Sequence, residues 1–494
     1  MPTFVCVNCS KRIETQALDA KCTSCKSALL LESNGEIKNL RALNKSEIET
    51  LPPGVWRYRA LLPNIADGNI VTLGEGATPL LQAKRLGSEL GLDNLLIKDE
   101  TRNPTGSFMD RGSTVLVSLA KEQGVNKISC TTTGNLGASV AAYSARAGIE
   151  AEVGIQPNTD HGKLYQMIAY GARVEILSKT HARRYYSELG TLSVSAANPF
   201  ILEGEKTTGF EIIQDMDWSC PDAIVLPVGT GGHLTMIWRG LLELHKTGLI
   251  DKPTCKLIGV QLQSSAQIVG SLQRANWRAG LGDKEEEEGP QTELEESDPF
   301  FKKTAVKSIR DSKGHGVEVS AREAIQGTSL LARTEGIFAE PSSTSIVAAL
   351  RIMKEDGLVD RSDRIVCVVT GAGLKDTRAI KKIARTPEHV VTREHLMITP
   401  LQIGATKLKV MRALGDGPRF GYDLWKSISK ERKITTTSIY QHLSELEGIA
   451  LIRRSGRVTT IKGRERIFYE LTKKGGGFLN TVGKPRQSDR FVVD

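Results

Sequence analysis

The sequence feature that most constrains the fold is an alternation of short apolar runs with helical stretches between residues 73 and 385. The apolar runs lie at residues 95–98, 127–130, 152–155, 173–177, 223–226, 256–260 and 364–369. Strands that alternate with helices in this way build open, mostly parallel sheets, whose ligands bind where the carboxyl ends of strands meet helix N-termini. The sequence therefore predicts an α/β fold with a ligand site made of loops.

Three glycine-rich loops follow these runs and are the candidates for that ligand site. They read TTTGNLG at residues 131–137, PVGTGGH at 227–233 and VTGAGLKD at 369–376. Glycine lets the backbone approach a ligand closely, and free N–H groups at a helix N-terminus favour anions. We therefore expect the loops to hold a phosphate or a carboxylate.

Four further segments accompany the loops, namely LGEGATPL at 73–80, NPTGSFMDRG at 103–112, LEGEKT at 202–207 and GIFAEP at 336–341. In this order they resemble the motifs of threonine synthase and related fold type II pyridoxal-phosphate (PLP) enzymes. The resemblance extends over residues 1–385. It implies a two-lobed open parallel sheet with PLP between the lobes, and O-phosphohomoserine as the substrate.

The sequence departs from that family at the cofactor lysine. In the family this lysine stands between Phe108 and Asp110 and joins PLP as a Schiff base, and here the residue is Met109. A thioether can neither condense with the cofactor nor transfer protons as the amine does. Methionine roughly matches the lysine stem in length, so the loop can keep its shape. We predict that Met109 occupies the catalytic position without its function.

The resemblance also implies roles for the loop residues. It places Asn135 beside the cofactor ring and Thr370 opposite the pyridine nitrogen. The phosphate loop would consist of Gly229, Thr230, Gly231 and Gly232. The substrate carboxylate would be held by Thr131, Thr132, Thr133, Gly134 and Gly137. Asp110 and Arg111 fit either a structural ion pair or a ligand contact, and the sequence leaves open whether Lys163 or Lys206 lies near Met109.

Two cysteine pairs, Cys6 with Cys9 and Cys22 with Cys25, lie in the first 25 residues. A two-residue gap lets both thiolates of a pair face one tetrahedral Zn²⁺, and a segment this short would need the metal to fold. Disulfides are the alternative, which a reducing cytoplasm disfavours, and a redox pair is another. The pattern also resembles the zinc ribbon of many threonine synthases. With four protein ligands the zinc would be structural.

The net charge of +9 is concentrated near the C-terminus, because residues 401–494 carry 19 Lys/Arg against 9 Asp/Glu. Helical periodicity at 407–414, 421–429 and 436–447, followed by strand patterns at 449–454 and 466–472, describes a winged helix. The segments GYDLW at 421–425 and SIYQHLSELE at 438–447 resemble the PadR-like transcription regulators. This composition predicts binding to double-stranded DNA. A winged helix used for dimerisation or protein contact remains the alternative.

The DNA-binding residues that this resemblance implies fall into two groups. On the recognition helix, hydroxyl and amide groups would reach base edges. On the wing, basic groups would meet phosphates. The helix group is Thr436, Thr437, Ser438, Tyr440 and Gln441, and the wing group is Arg457, Lys462 and Arg464.

We predict a zinc ribbon at residues 1–35, an arm at 36–72, the PLP-fold domain at 73–385, a linker at 386–400, a winged helix at 401–480 and a basic tail at 481–494. No stretch reaches the length of a membrane span and the N-terminus lacks signal-peptide features, so we expect a cytoplasmic protein without a membrane partner. A homodimer would place two winged helices on adjacent half-sites.

Two functions follow from these expectations. The first is a ligand-sensing DNA-binding regulator with little or no turnover, whose ligand is PLP or an amino-acid phosphate. PLP would be held without a covalent bond, or lost. The second is an active threonine synthase that converts O-phosphohomoserine and water to threonine and phosphate, with a regulatory domain appended. It would require another lysine or free PLP. Other β-elimination or β-replacement chemistry of the same fold is a third, weaker interpretation.

Overall fold

A computed structural model of the chain describes residues 1–32, 44–157, 159–177, 191–273, 299–378, 404–430, 434–459 and 465–482. The chain divides into two compact units, Met1–His389 and Val390–Asp494. The predicted linker at 386–400, the tail from 483 onward, and the wing residues Lys462 and Arg464 lie outside the described residues. The side chain of Arg457 is also outside the description.

The N-terminal ribbon is a small antiparallel sheet in the order β2-β1-β3, made of β1 (Thr3–Cys6), β2 (Arg12–Glu14) and β3 (Leu29–Leu31). Phe4 of β1 is fully buried and meets the ring of Phe200 edge-on at 5.7 Å between centroids. The Asn198 amide donates to the carbonyl of Leu18 at 2.6 Å, and its side-chain oxygen caps the helix that starts at Pro199. The ribbon therefore packs on the body of the first unit.

The larger sheet of the first unit has six strands in the order β12-β11-β10-β13-β5-β4. Its strands are parallel except β4, which runs antiparallel to β5. They are β4 (Leu80–Gln82), β5 (Asn94–Asp99), β10 (Ala223–Pro227), β11 (Lys256–Leu262), β12 (His315–Val319) and β13 (Arg364–Val369). Every residue of β10 is buried, as expected for a strand covered on both faces. The predicted parallel sheet is confirmed.

A second, fully parallel sheet has four strands in the order β8-β7-β6-β9. They are β6 (Lys127–Thr132), β7 (Glu150–Ile155), β8 (Arg173–Ile176) and β9 (Leu192–Val194). The carboxyl end of β6 leads into Gly134, whose φ of 145° only glycine adopts easily. This break turns the chain from the strand into a helix and places the loop at 131–134 at the sheet edge.

Helices pack against both sheets. In chain order they are α1 (Lys45–Thr50), α2 (Lys84–Leu90), α3 (Met109–Glu122), α4 (Asn135–Ala147), α5 (His161–Ala169), α6 (Pro199–Glu205), α7 (Thr207–Asp215), α8 (Gly232–Lys246), α9 (Val269–Gln273), α10 (Lys302–Asp311), α11 (Ala321–Glu335) and α12 (Pro341–Glu355). Short 3₁₀ turns lie at Val55–Leu61, Asp67–Asn69, Glu100–Arg102, Gln263–Ser265 and Gly373–Lys375.

The C-terminal unit contains the predicted helices and hairpin. They are α13 (Ala405–Gly415), β14 (Arg419–Phe420), α14 (Gly421–Ile428), α15 (Thr436–Gly448), β15 (Ile452–Thr459), β16 (Glu465–Leu471) and α16 (Lys473–Val482). The strand expected at 449–454 begins only at Ile452, because Ala450 adopts a left-handed conformation with φ of 57°. Leu424, Ile439 and Leu443 are buried in this unit's own core. Among the described residues, no helix is both long and apolar enough to cross a bilayer.

Candidate functional site

A cavity of about 290 Å³ opens between the two sheets of the first unit, and the predicted loops form much of its wall. The residues that line it come from the start of α3, the β6–α4 loop, the end of α6, the β10–α8 loop, the start of α12 and the end of β13, among others. Among the predicted site residues they are Met109, Thr131, Thr132, Thr133, Gly229, Thr230, Gly231 and Thr370. The topology explains this convergence, since parallel strands end at the same edge of a sheet.

Met109 is the first residue of α3 and is partly buried against the hydrophobic core below the cavity. The turn that leads into α3 is fixed by the buried carboxylate of Asp110. This carboxylate accepts hydrogen bonds from the Thr105 backbone and hydroxyl at 2.6 and 2.7 Å, and from Ser139 at 2.5 Å. Burial raises the pKa of Asp110 above its usual range, although these hydrogen bonds oppose the shift. Asp110 therefore supports the loop and is absent from the cavity lining.

Arg111 forms a structural ion-pair cluster, which was one of its two expected roles. Its guanidinium is fully buried and donates to Glu100 at 2.6 Å and to Glu211 at 2.7 Å. Burial alone would lower the pKa of Arg111, but the two carboxylates hold it well above its usual value. The cluster joins α3, α7 and the start of the loop at 100–112, so that the loop keeps its shape without a cofactor bond.

The anion-binding part of the cavity is the turn that precedes α8. Gly231 has φ of 89°, and a Cβ placed on it would lie 3.0 Å from the Cβ of Ala305. The first N–H groups of this fifteen-residue helix have no acceptor within the helix, and helix N-termini of this kind bind phosphates. The N–H of Gly232 donates to the Thr230 hydroxyl of the turn at 3.3 Å. Thr370 lies at the end of β13, where its hydroxyl hydrogen-bonds that of Ser343 at 2.8 Å.

Four predicted site residues do not line the cavity, namely Gly134, Asn135, Gly137 and Gly232. Close packing explains why Gly134, Gly137 and Gly232 are glycines, because a Cβ at any of them would collide with a neighbouring side chain. A Cβ on Gly134 would lie 2.1 Å from Cδ of Lys163, and one on Gly232 would lie 2.8 Å from Cδ2 of Leu202. A Cβ on Gly137 would similarly lie 2.6 Å from Cγ2 of Thr132.

Asn135 is buried at the start of α4 and donates to Glu340, a residue of the cavity wall, at 2.8 Å. Glu340 also pairs with Lys163 at 3.3 Å. This polar group connects α4, α5 and the start of α12 directly behind the wall. Asn135 therefore positions a lining carboxylate.

Several lining residues were not assigned a role from the sequence. His233 stacks on Phe108 with ring centroids 4.2 Å apart, and burial lowers its pKa to about 3, so the imidazole is neutral. Glu205, the last residue of α6, lines the same cavity as Met109, and burial raises the pKa of its carboxyl to about 8. Both belong to segments that the sequence had already singled out, at 227–233 and 202–207. The motifs therefore indicated that His233 and Glu205 lie near the site, but not how burial shifts their pKa values.

The four ribbon cysteines converge on one point. Their sulfur atoms all lie within 4.8 Å of one another, with Cys6 and Cys25 at 3.4 Å and Cys9 and Cys22 at 3.6 Å. A tetrahedral Zn²⁺ with bonds of about 2.3 Å requires sulfur separations of about 3.8 Å, which these distances approach. The chemistry and geometry of the donor set are therefore compatible with a structural zinc ion.

In the C-terminal unit, α15 exposes Thr436, Thr437, Tyr440 and Gln441, while Ser438 is half-buried. Thr435 caps the helix by accepting from the Ser438 N–H at 3.2 Å. These four exposed residues lie on the N-terminal turn and along one face of α15. Recognition helices contact base edges with residues at such positions.

Residues 71–371 match the family "Pyridoxal-phosphate dependent enzyme", and residues 410–481 match the "Transcriptional regulator PadR-like family". The chain is 36% identical over 390 residues to threonine synthase of Methanocaldococcus jannaschii, covering 77% of this chain and 95% of that one. It is 39% identical over 334 residues to threonine synthase of Mycobacterium tuberculosis, covering 66% and 89%.

Solved structures share the fold at lower identity. A processed threonine deaminase isoform 2 from Solanum lycopersicum matches with a TM-score of 0.51 and 21% identity, covering 67% of this chain and 94% of that one. Maize serine racemase matches with a TM-score of 0.51 and 18% identity, covering 63% and 93%. These two likenesses concern the fold alone.

Proposed function

The chain belongs to the pyridoxal-phosphate dependent enzyme family, and from that premise we propose that it is a ligand-sensing, DNA-binding regulator with little or no turnover. Its threonine synthase-like domain is fused to a PadR-like domain. In this proposal the first binds a small phosphate-bearing ligand, the second binds double-stranded DNA, and a homodimer in the cytoplasm places two winged helices on adjacent half-sites.

The observation that carries the proposal is the cavity wall around Met109. Among the residues that the structure describes, no lysine or arginine lines this cavity. The family's mechanism needs an amine there to form the Schiff base and to move protons. Met109 supplies a thioether at the family's lysine position, so the first covalent step has no nucleophile.

The other candidate lysines are engaged elsewhere. Lys98 is fully buried and pairs with Glu211 at 3.0 Å and Asp215 at 2.7 Å. Lys206 lines a different cavity, of about 620 Å³, and pairs with two carboxylates of its own. Lys163 pairs with Glu340 behind the wall.

The cavity nevertheless retains groups that suit PLP held without a covalent bond. The Gly229–Gly231 turn at the start of α8 would hold the phosphate, and the Thr370 hydroxyl would face the pyridine nitrogen. The buried Thr131 hydroxyl has no hydrogen-bond partner among the described residues and can serve a ligand. When bound, the cofactor would supply an electron sink for substrate carbanions. Without a lysine among its described lining residues, the cavity can bind and orient ligands but lacks the group that starts turnover.

The test compares the protein as it stands with Met109→Lys and, as a matched apolar control, Met109→Leu. Each is first mixed with PLP alone, and the visible Schiff-base absorption is recorded. O-phosphohomoserine is then added, and phosphate release is measured. We expect only Met109→Lys to absorb and to release phosphate. Robust turnover by the unaltered protein would contradict the proposal.

The regulatory half is tested by selecting sequences from random double-stranded DNA with the full chain. The affinity for the selected site is then measured with and without PLP or O-phosphohomoserine. We expect a change of at least about fivefold, the lower end of typical coupling between sites. Equal affinity under all conditions would refute ligand sensing by these compounds.

An active threonine synthase is the second candidate, and a specific observation favours it. The chain spans 95% of the M. jannaschii threonine synthase at 36% identity, and its cavity keeps the loops of that family. This function would require free PLP or a lysine to take the place of Met109. Phosphate release by the unaltered protein is the outcome that separates the two candidates.

A further inference from the structure

Glu205 is a buried carboxyl group at the cavity wall with no partner in the described structure. The residue is 2% exposed, and its Oε2 atom is buried without a hydrogen-bond partner among the described residues. Two residues earlier on the same helix, Glu203 is equally buried but pairs with Lys206 at 2.5 Å. Lys206, the residue that follows α6, therefore neutralises Glu203. No described cation is paired with Glu205.

We propose that Glu205 binds the ammonium group of the ligand, so that the cavity selects a phosphate monoester carrying a primary amine over one carrying an aldehyde. This inference rests on the proposed function, because it assumes that the Gly229–Gly231 turn holds the phosphate. It goes beyond that function by naming the group that Glu205 recognises.

The energetic argument starts from the cost of an unpaired buried carboxylate. Burial is the sole cause that raises the pKa of Glu205 to about 8, so no neighbouring charge offsets it. An ammonium group offers three donors and a full positive charge to such a carboxylate. Hydrogen bonds between two charged groups are about twice as strong as neutral ones, and more so away from water.

The other titratable groups described around Glu205 are either neutral or already paired. A ligand can therefore supply the cation that Glu205 lacks. On α8, His233 is neutral because burial lowers its pKa to about 3. On α3, Asp110 is held by Thr105 and Ser139, and Arg111 is held by Glu100 and Glu211. At the start of α12, Glu340 pairs with Lys163 of α5. On α6 itself Glu203 pairs with Lys206, which lines the other cavity.

Met109 and Glu205 together account for the selection. A lysine at position 109 would place an amine in the cavity that Glu205 also lines, and an aldehyde ligand would condense with it. With Met109 in place, no described residue contributes an amine to the lining, and an aldehyde offers no N–H to the carboxylate. An amine carried by the ligand satisfies Glu205 directly. Two sources share this chemistry, namely pyridoxamine phosphate and amino-acid phosphates.

The experiment measures equilibrium binding by isothermal titration calorimetry with the full chain at pH 7.5. The probes are pyridoxamine phosphate, O-phosphohomoserine, PLP and inorganic phosphate. We expect at least one amine probe to bind about tenfold or more tightly than PLP. Glu205→Gln should weaken that amine by about tenfold to hundredfold, the usual value of a charged hydrogen bond, and should leave PLP and phosphate within about twofold.

The pH dependence gives a second readout that needs no substitution. Because the amine requires the ionised carboxylate, its affinity should rise between pH 7 and pH 9 and binding should release a proton. Phosphate monoesters have their second pKa near about 6 and change little in this range. Glu205→Gln should abolish the rise. If Glu205 instead donated its proton to an aldehyde ligand, PLP affinity would fall over the same range, which would overturn the proposal.

Glu203→Gln is the matched control, since it makes the same change on the same helix at the other cavity and leaves Lys206 paired with Glu243. It should not alter ligand selectivity. PLP binding as tightly as both amines, or amine affinity unchanged in Glu205→Gln, refutes the inference. Failure of all four probes to bind refutes the phosphate site and this inference together. If the protein selects amines but no ligand changes its affinity for DNA, the role of Glu205 in ligand binding is supported. Only the proposal that the protein is a ligand-sensing regulator is then refuted.

Discussion

Replacing Glu205 should make the ligand-free protein more stable, and increasingly so as the pH rises. The carboxyl is buried without a partner, and its pKa of about 8 in the folded chain lies above the ordinary value of 4.5. A raised folded-state pKa contributes stability that is fully present below pH 4.5 and is lost as the pH rises through 8. Glu205→Gln removes this dependence because an amide does not titrate.

The magnitude follows from the two pKa values. They differ by about 3.5 units, and at about 1.4 kcal/mol per unit the whole span corresponds to about 5 kcal/mol. About 3 kcal/mol of it falls between pH 5 and pH 8. The difference in free energy of unfolding between Glu205→Gln and the unaltered protein should therefore increase by about 3 kcal/mol from pH 5 to pH 8, in favour of the variant.

The assay is urea unfolding of both proteins at pH 5, 6, 7 and 8 without phosphate compounds, using the transition of the larger unit. Glu89→Gln is a suitable control, because Glu89 is an exposed carboxyl paired with Arg333 at 3.4 Å. Such surface pairs contribute about 0–1 kcal/mol, so its profile should stay nearly parallel to that of the unaltered protein. A stability difference for Glu205→Gln that does not change with pH would refute the reasoning.

Four other predictions test separate parts of the molecule. Native mass spectrometry should find one zinc ion per chain, and a chelator should remove it and lower the free energy of unfolding of the first unit, whose core the ribbon shares. Arg111→Met should destabilise the first unit by about 3–5 kcal/mol in urea, because it leaves two buried carboxylates without their cation. Gly231→Ala should weaken PLP binding in a titration by about tenfold, because φ of 89° strains alanine and its Cβ crowds the turn. Gln441→Ala should relax base preference in DNA selection, whereas Arg457→Ala should lower affinity for all sequences and reduce the slope against log salt by about one.

The sequence was sufficient to predict the features that depend on local patterns. Alternation of apolar runs indicated the parallel sheets, and the spacing of Cys6, Cys9, Cys22 and Cys25 indicated the cluster. Glycine next to a strand end marked the loops that form the cavity. These features depend on residues close in sequence, where strand periodicity and turn geometry leave few alternatives.

The pairing of charges could not be predicted in this way. Lys206 and Glu205 are neighbours in sequence, yet Lys206 faces a second cavity with Glu203 and Glu243, while Glu205 remains unpaired at the first. Which side chain meets which partner depends on contacts between helices far apart in sequence. The same holds for Asn135, whose amide donates to Glu340, a residue about two hundred positions away in the sequence.

The attachment of the ribbon bears on how the chain unfolds. Phe4, Cys6 and Cys22 belong to the same buried cluster as Phe200 and Ile201 of α6. Asn198, which caps that helix, also holds the backbone of the ribbon at Leu18. Melting the ribbon alone would expose this shared core, so we expect the ribbon and the two sheets to unfold as one cooperative block. Thermodynamically the chain is then two bodies, although its motifs suggest three.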